Sequence, residues 1–328
     1  MEIPWSLVLG PWTFRPSRPS RPLGGLKVHP LLMHSILMPV FNAERYLASA
    51  IDSVLGQTVA DFEFVIVDDG SRDRSPEILR SYAEKDRRIR VVTQANQGVA
   101  GALNTGLAQC RGDLVFRMDA DDLALPTRFA EQLAALQRWP DCVALGTAVL
   151  FTDPEARPTK LYRPALEPEA IVAALAEGNG GALVHPTVAF RRSALVACGG
   201  YREKYDFIED LDLFVRLLDH GTLRNLPEPL LHYRQHPQSV NHRLGSRAAK
   251  IAEIVAPLRT ARGLPPWQPA CGAVPSGAIP LDECHRKWAL EAAEGGHLVT
   301  ARANALAALR HGPLRRANWA CLRYVWSL

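Results

Sequence analysis

Residues 114–122, LVFRMDADD, decide how the chain is read. Leu114, Val115, Phe116 and Met118 form a short apolar run of strand type. The run ends in three carboxylates, Asp119, Asp121 and Asp122. Like charges packed this closely repel unless a cation offsets them. A loop at the carboxyl end of a buried strand is where open α/β sheets hold their ligands. Hard oxygen donors on such a turn suit Mg²⁺ or Mn²⁺ carrying a diphosphate. The same nine residues also fit a solvated acidic turn, with Asp122 capping a helix that begins near Pro126.

Around this stretch, strand and helix patterns alternate. Residues 36–40 read as a buried strand running out at Pro39, Phe41 and Asn42. A helix follows over 43–55, with Leu47, Ile51, Val54 and Leu55 on one face. Residues 62–67 form a second strand that ends in Asp68-Asp69-Gly70-Ser71. Ser75 caps the next helix, with Pro76 at its first position. A third strand spans 89–93 and a helix 98–110. After the fourth strand come a helix over 126–139 and a fifth strand over 143–151. These lengths predict an α/β fold, a Rossmann-like, mainly parallel sheet flanked by helices. Beyond Phe151 the pattern loosens. Helices are expected at 167–177 and 210–220, a turn at 178–181, a strand with His185 at 184–190, and a short strand at 230–233 before His236. From residue 243 the chain is helical and alanine-rich, broken at 263–280. Residues 1–33, rich in Pro and Arg, read as a disordered leader. The expected organisation is therefore a leader (1–33), one α/β domain (34–242) and a helical C-terminal extension (243–328).

The 328 residues, 47% hydrophobic and 22% charged, are those of an ordinary globular protein. No stretch approaches the ~18 uninterrupted apolar residues of a membrane span. The six cysteines (110, 142, 198, 271, 284 and 321) have no close pairs. That argues against a zinc site or a disulfide framework and for a reducing, cytoplasmic compartment. Residues 243–328 carry twelve basic and five acidic side chains, a net of +7, and residues 1–33 carry +3. The whole-chain charge of +4 therefore leaves −6 for residues 34–242. An acidic middle is what a metal site shows when read without its cation. The basic tail, with Arg310, Arg315, Arg316 and Arg323 interleaved with Trp319, Tyr324 and Trp326, suits peripheral contact with an anionic membrane face. A helix packed on the domain with a solvated basic face explains the same residues.

The loops after strands one, two and four should meet at one sheet edge. A carboxylate there can accept a base N–H or a ribose hydroxyl, which suits Asp69. Asn96 and Asn104, near the third strand and its helix, are expected to line the same pocket. Asp73 reads equally well as a turn or cap residue.

Four stretches, SILMPVFNAERYLASAIDSVLGQT, FEFVIVDDGSRDRS, NQGVAGALNTGLAQCRGDLVFRMDADD and GGYREKYDFIEDLDLFVRL, closely resemble glycosyltransferase family 2, with its GT-A fold. The resemblance implies an inverting transferase that uses a nucleotide-diphosphate sugar and Mg²⁺ or Mn²⁺. It implies nucleoside contacts from Pro39, Phe41, Asp68 and Asp69. Asp119-Ala120-Asp121 matches the family's metal motif, with Asp119 beside the nucleotide and Asp122 a substitute ligand. Glu209-Asp210 matches a pair in which the Asp is the catalytic base, and His236 matches a histidine that joins the metal site. The expected partners are the donor, a glycan or lipid-linked acceptor and the inner membrane face, with no nucleic acid. Such enzymes build polysaccharide, lipopolysaccharide or other cell-envelope glycans.

The chemistry agrees with the residues. Sugar transfer needs a neutralised leaving diphosphate and a carboxylate to take the acceptor proton. A nucleotidyltransferase would want a glycine-rich basic loop after strand one, where PVFNAERY stands. A dinucleotide-dependent dehydrogenase would want G-x-G-x-x-G there. A non-catalytic sugar-nucleotide-binding protein on the same fold is the other alternative, and loss of Asp119, Asp121 or Asp210 would mark it.

Overall fold

The computed structural model describes residues 34–237, 247–269 and 279–328. The expected leader (1–33) and residues 270–278 of the break at 263–280 lie outside the described residues.

The first half of the chain winds as the sequence pattern predicts. β1 (His34–Val40) leads through α1 (Leu47–Leu55) to β2 (Glu63–Asp68), then α2 (Ser75–Lys85), β3 (Ile89–Thr93), α3 (Gly98–Gln109) and β4 (Leu114–Arg117). β3, β2, β1 and β4 lie side by side, all parallel. Alternate residues of each strand enter different cores. Ile36, Met38, Phe64 and Ile66 pack with Leu47, Ile51 and Phe129 on one face, whereas Leu37, Val65 and Val67 meet Leu103, Leu107 and Phe214 on the other. Both faces are covered, so these strands read as continuous apolar runs.

The second half is mixed. β5 (Leu123–Ala124) and α4 (Arg128–Arg138) precede β6 (Cys142–Thr152) and β7 (Pro158–Tyr162), an antiparallel hairpin. After α5 (Pro168–Ala176), β8 (Ala189–Arg191) inserts antiparallel between β4 and β6. α6 (Arg192–Ala197) and α7 (Glu209–Leu217) follow, then β9 (Thr222–Arg234), parallel to β6 and antiparallel to β5. β9 is far longer than the expected strand at 230–233. Pro227 and Pro229 hide it in the sequence, because proline cannot donate to a ladder; both fall where the β6–β9 register shifts. The expected strand at 184–190 is also corrected. His185 sits in a 3₁₀ turn, His185–Thr187, and only Ala189–Arg191 pair as a strand.

α8 (Ala248–Ala261) buries Ile254 and Val255 in the core that holds α5 and α7. α9 (Leu281–Glu294), α10 (Leu298–His311) and α11 (Arg316–Ser327) close a separate small core of Ala289, Ala292, Ala301, Ala305, Cys321 and Val325. Buried Asn304 joins them to the hairpin end, donating to Asp153 at 2.8 Å and pairing with His285 at 2.8 Å. No described helix is long and apolar enough to cross a membrane.

Candidate active site

Because β2, β1 and β4 are parallel neighbours, their carboxyl ends share one sheet edge. The first two loops are stitched together there. Asn42, with φ of +51°, accepts the Arg72 amide at 2.8 Å, and its own amide donates to Ser71 Oγ at 3.0 Å. Asp73 accepts the amides of Glu44 and Ser75, each at 2.9 Å, so it serves as a turn residue. Asp68 accepts the Ser71 amide at 3.1 Å. Buried Asp69 accepts the Gln97 amide at 2.9 Å and Gln94 Nε2 at 2.7 Å, while Asn96 donates to the Asp69 carbonyl at 3.0 Å. Pro39 lies one residue before the end of β1, and the Phe41 ring just beyond it is 51% exposed. Asn104 has a structural tie as well. It both accepts from and donates to the Tyr201 backbone, at 2.9 and 2.8 Å, and so ties α3 to that segment.

The acidic turn forms a cluster. Ligand oxygens of Asp119, Asp121 and Asp122 all lie within 4.8 Å of one another. The β5–β9 pairing brings the end of β9 over this turn, so that Asp122 accepts the Arg234 amide at 2.8 Å and His236 Nε2 meets Asp121 Oδ2 at 2.8 Å. Asp122 Oδ2 is buried and has no hydrogen-bond partner among the described residues. Burial, then the charges of Asp121 and Asp119, pushes the Asp122 carboxyl well above its ordinary value. Asp119 is also raised, chiefly by burial, despite Arg117. A divalent cation would reverse both effects. Three hard carboxylates with an imidazole alongside, one of them holding an unpartnered buried oxygen, fit Mg²⁺ or Mn²⁺.

Arg117, absent from the sequence-level candidates, connects this cluster to the rest of the site. It is the one charged residue in the apolar run of β4, which was its only signal. Its guanidinium pairs with Asp119 at 2.5 Å. Burial opposes its charge, but Asp119, then Tyr201 and Glu209, hold its pKa above the ordinary value. Fully buried Arg128 supports the turn from behind, donating to the Arg117 carbonyl at 2.7 Å.

Glu209 and Asp210 open α7 and point differently, as adjacent helical residues must. Glu209 is buried, 3.9 Å from His185 Nδ1, and burial, then the Asp210 charge, pushes it up to about 8. His185, hydrogen-bonded to the Tyr201 hydroxyl at 2.9 Å, is held neutral by burial and by Arg117. Asp210 is only partly covered and faces the bare backbone of Gly180, where an added Cβ would lie 3.7 Å from its carboxylate. Burial raises its pKa too. Just upstream, Phe207 has φ of +70° and is 40% exposed, with Arg247 over its ring at 5.3 Å and bonded to its carbonyl at 2.7 Å. Strain of this kind in an aromatic residue commonly accompanies function.

The family model for glycosyl transferase family 2 matches residues 35–198. The amylovoran biosynthesis glycosyltransferase AmsE of Erwinia amylovora is 31% identical over 217 residues, which cover 65% of this chain and 80% of AmsE. The chain belongs to glycosyltransferase family 2. The O-antigen biosynthesis glycosyltransferase WbnJ of Escherichia coli is another relative of this family 2 enzyme, 30% identical over 216 residues, 63% of this chain and 81% of WbnJ. Among solved structures, S. aureus TarS 1-349 in complex with UDP superposes with a TM-score of 0.53 at 17% identity, covering 90% of each chain. That likeness concerns the fold, and it assigns the sheet and its helices to the GT-A type.

Proposed function

We propose that the protein is a metal-dependent inverting glycosyltransferase that moves a sugar from a nucleotide-diphosphate donor to an acceptor hydroxyl in cell-envelope glycan synthesis. One observation carries the proposal. Ligand oxygens of Asp119, Asp121 and Asp122 cluster within 4.8 Å of one another beside His236, and Arg117, paired with Asp119, interacts electrostatically with Glu209 and Asp210, which supports a diphosphate site near a proton acceptor. The loops of Phe41, Asp68, Asp69 and Asn96 supply a floor for the nucleoside. Asp119, Asp121, Asp122 and His236 would hold Mg²⁺ or Mn²⁺, which neutralises the leaving diphosphate when bound. Asp210 takes the proton from the attacking hydroxyl beside Gly180, and no enzyme nucleophile is required. Glu209, with a pKa near 8, places the acceptor or the helix and does not compete as base.

Relatives named for amylovoran and O-antigen biosynthesis support an envelope glycan or its lipid-linked precursor as acceptor. TarS, seen with UDP and with UDP-GlcNAc, supports a nucleotide-sugar donor. Such acceptors would place the enzyme in the cytoplasm, at the inner membrane face. The test is a panel of UDP- and GDP-sugars with Mn²⁺, read by thermal shift, since the true donor stabilises the fold by mass action. A metal-dependent shift with one donor is expected. No shift with any nucleotide sugar would overturn the proposal.

A further inference from the structure

α11 has a buried and a bare side. Asn318, Cys321 and Val325 face inward. Outward, one pair of residues occurs twice: Arg316 with Trp319, then Arg323 with Trp326. The spacings of three, four and three residues put all four side chains within an arc of about 80° at 100° per residue. Trp319 is 50% exposed and Trp326 48%. The Trp319 indole donates to the Pro313 carbonyl at 2.8 Å, fixing it against the turn that presents Leu314, itself 96% exposed. The Arg302 guanidinium lies 5.6 Å over the Trp326 ring. Arg315, just before the stripe, is engaged by Asp282 and Glu283. Among the described residues neither Arg316 nor Arg323 forms an ion pair. Residues 295–328 contain five arginines and no Asp or Glu.

Exposed indoles beside unpaired guanidinium groups match one environment closely. At a bilayer surface, Trp rings settle at headgroup level and arginines meet lipid phosphates. A second copy of the chain is a poor occupant, because a two-fold contact through this stripe would set like charges against each other. We propose that the α11 stripe docks the enzyme on a membrane surface containing anionic phospholipid, with the helix lying in the plane of the interface. The purpose, bringing the site to a membrane-borne acceptor, rests on the function proposed above. The lipid affinity does not, and it is measured without donor or acceptor.

The experiment is co-sedimentation of the full chain with phosphatidylcholine vesicles, with and without phosphatidylglycerol, at low and high salt. Binding to the anionic vesicles alone, weakened by salt, is expected. Arg316→Gln with Arg323→Gln should lower the partition about 30-fold, two charges at roughly fivefold each. Trp319→Ala should lower it about tenfold, through lost apolar burial. Melting temperatures of these variants without ligand should match the parent, which shows that they are folded. The proposal is overturned by absent binding, by equal binding to neutral vesicles, or by insensitivity to the paired Arg change. It is also overturned if a single-stranded oligonucleotide is bound equally well, or if light scattering shows a dimer that Trp319→Ala dissociates.

Discussion

Replacing Asp210 with asparagine separates a proton acceptor from a residue that only steadies the first turn of α7. The Asp210 carboxylate accepts the Leu211 amide at 2.7 Å, and asparagine retains that oxygen. The N-cap of α7 is Ile208, so what survives is this local bond within the first turn, about 1 kcal/mol. Removing the charge also relieves Glu209, whose pKa of about 8 owes most to burial and next most to Asp210. The native state holds the Glu209 proton from its ordinary value of 4.5 up to about 8, where the unfolded chain has lost it. Metal-free stability should therefore fall as pH rises through that window, and fall less steeply in the variant. Catalysis should respond in the opposite sense. Loss of a general base costs ~10²-fold or more, equivalent to about 2.7 kcal/mol of barrier. The assay is nucleotide release from the donor found in the panel, with donor affinity by calorimetry and stability by thermal melting at several pH values. Unchanged donor affinity, an unchanged or higher melting temperature and a hundredfold slower release are expected. Release at near the parent rate would refute the role given to Asp210.

Asp121→Ala removes a carboxylate from the acidic cluster and the partner of His236, so Mn²⁺-dependent donor binding should vanish while the melting temperature barely moves; titration calorimetry with and without Mn²⁺ reads this. Asp69→Ala breaks the bonds from Gln94 and Gln97 and should cost about 1–3 kcal/mol of stability. It should also weaken the free nucleoside diphosphate; a lower melting temperature with unchanged nucleotide affinity would make Asp69 structural only. Because burial raises the Asp119 and Asp122 carboxyls in the metal-free protein, Mn²⁺ should bind more tightly as pH rises and displace protons. Calorimetry in two buffers of different ionisation heat measures that release, and none at any pH tested would refute the raised pKa of these two carboxylates.

The sequence alone determined the parallel half of the sheet. In β1, β2 and β4, apolar runs buried on both faces end in Pro, Asn or Asp, and each signal is confined to a few neighbouring residues. The acidic cluster was legible for the same reason, since Asp119, Asp121 and Asp122 are adjacent in the chain. The tertiary structure decided what depends on distant pairing. β9 was masked by Pro227 and Pro229, and only its partner β6 shows that these prolines sit at a register shift. Neither Arg117 nor His185 has a local signature of its role, because Glu209, which lies 3.9 Å from His185 and whose charge acts on Arg117, is far along the chain. Nothing near Asn104 in the sequence announces that folding sets its amide against the Tyr201 backbone. In α11 the sequence supplied arginines and tryptophans. Only packing decided that Arg315 is neutralised by Asp282 and Glu283, while Arg316, Trp319, Arg323 and Trp326 remain on the outer face.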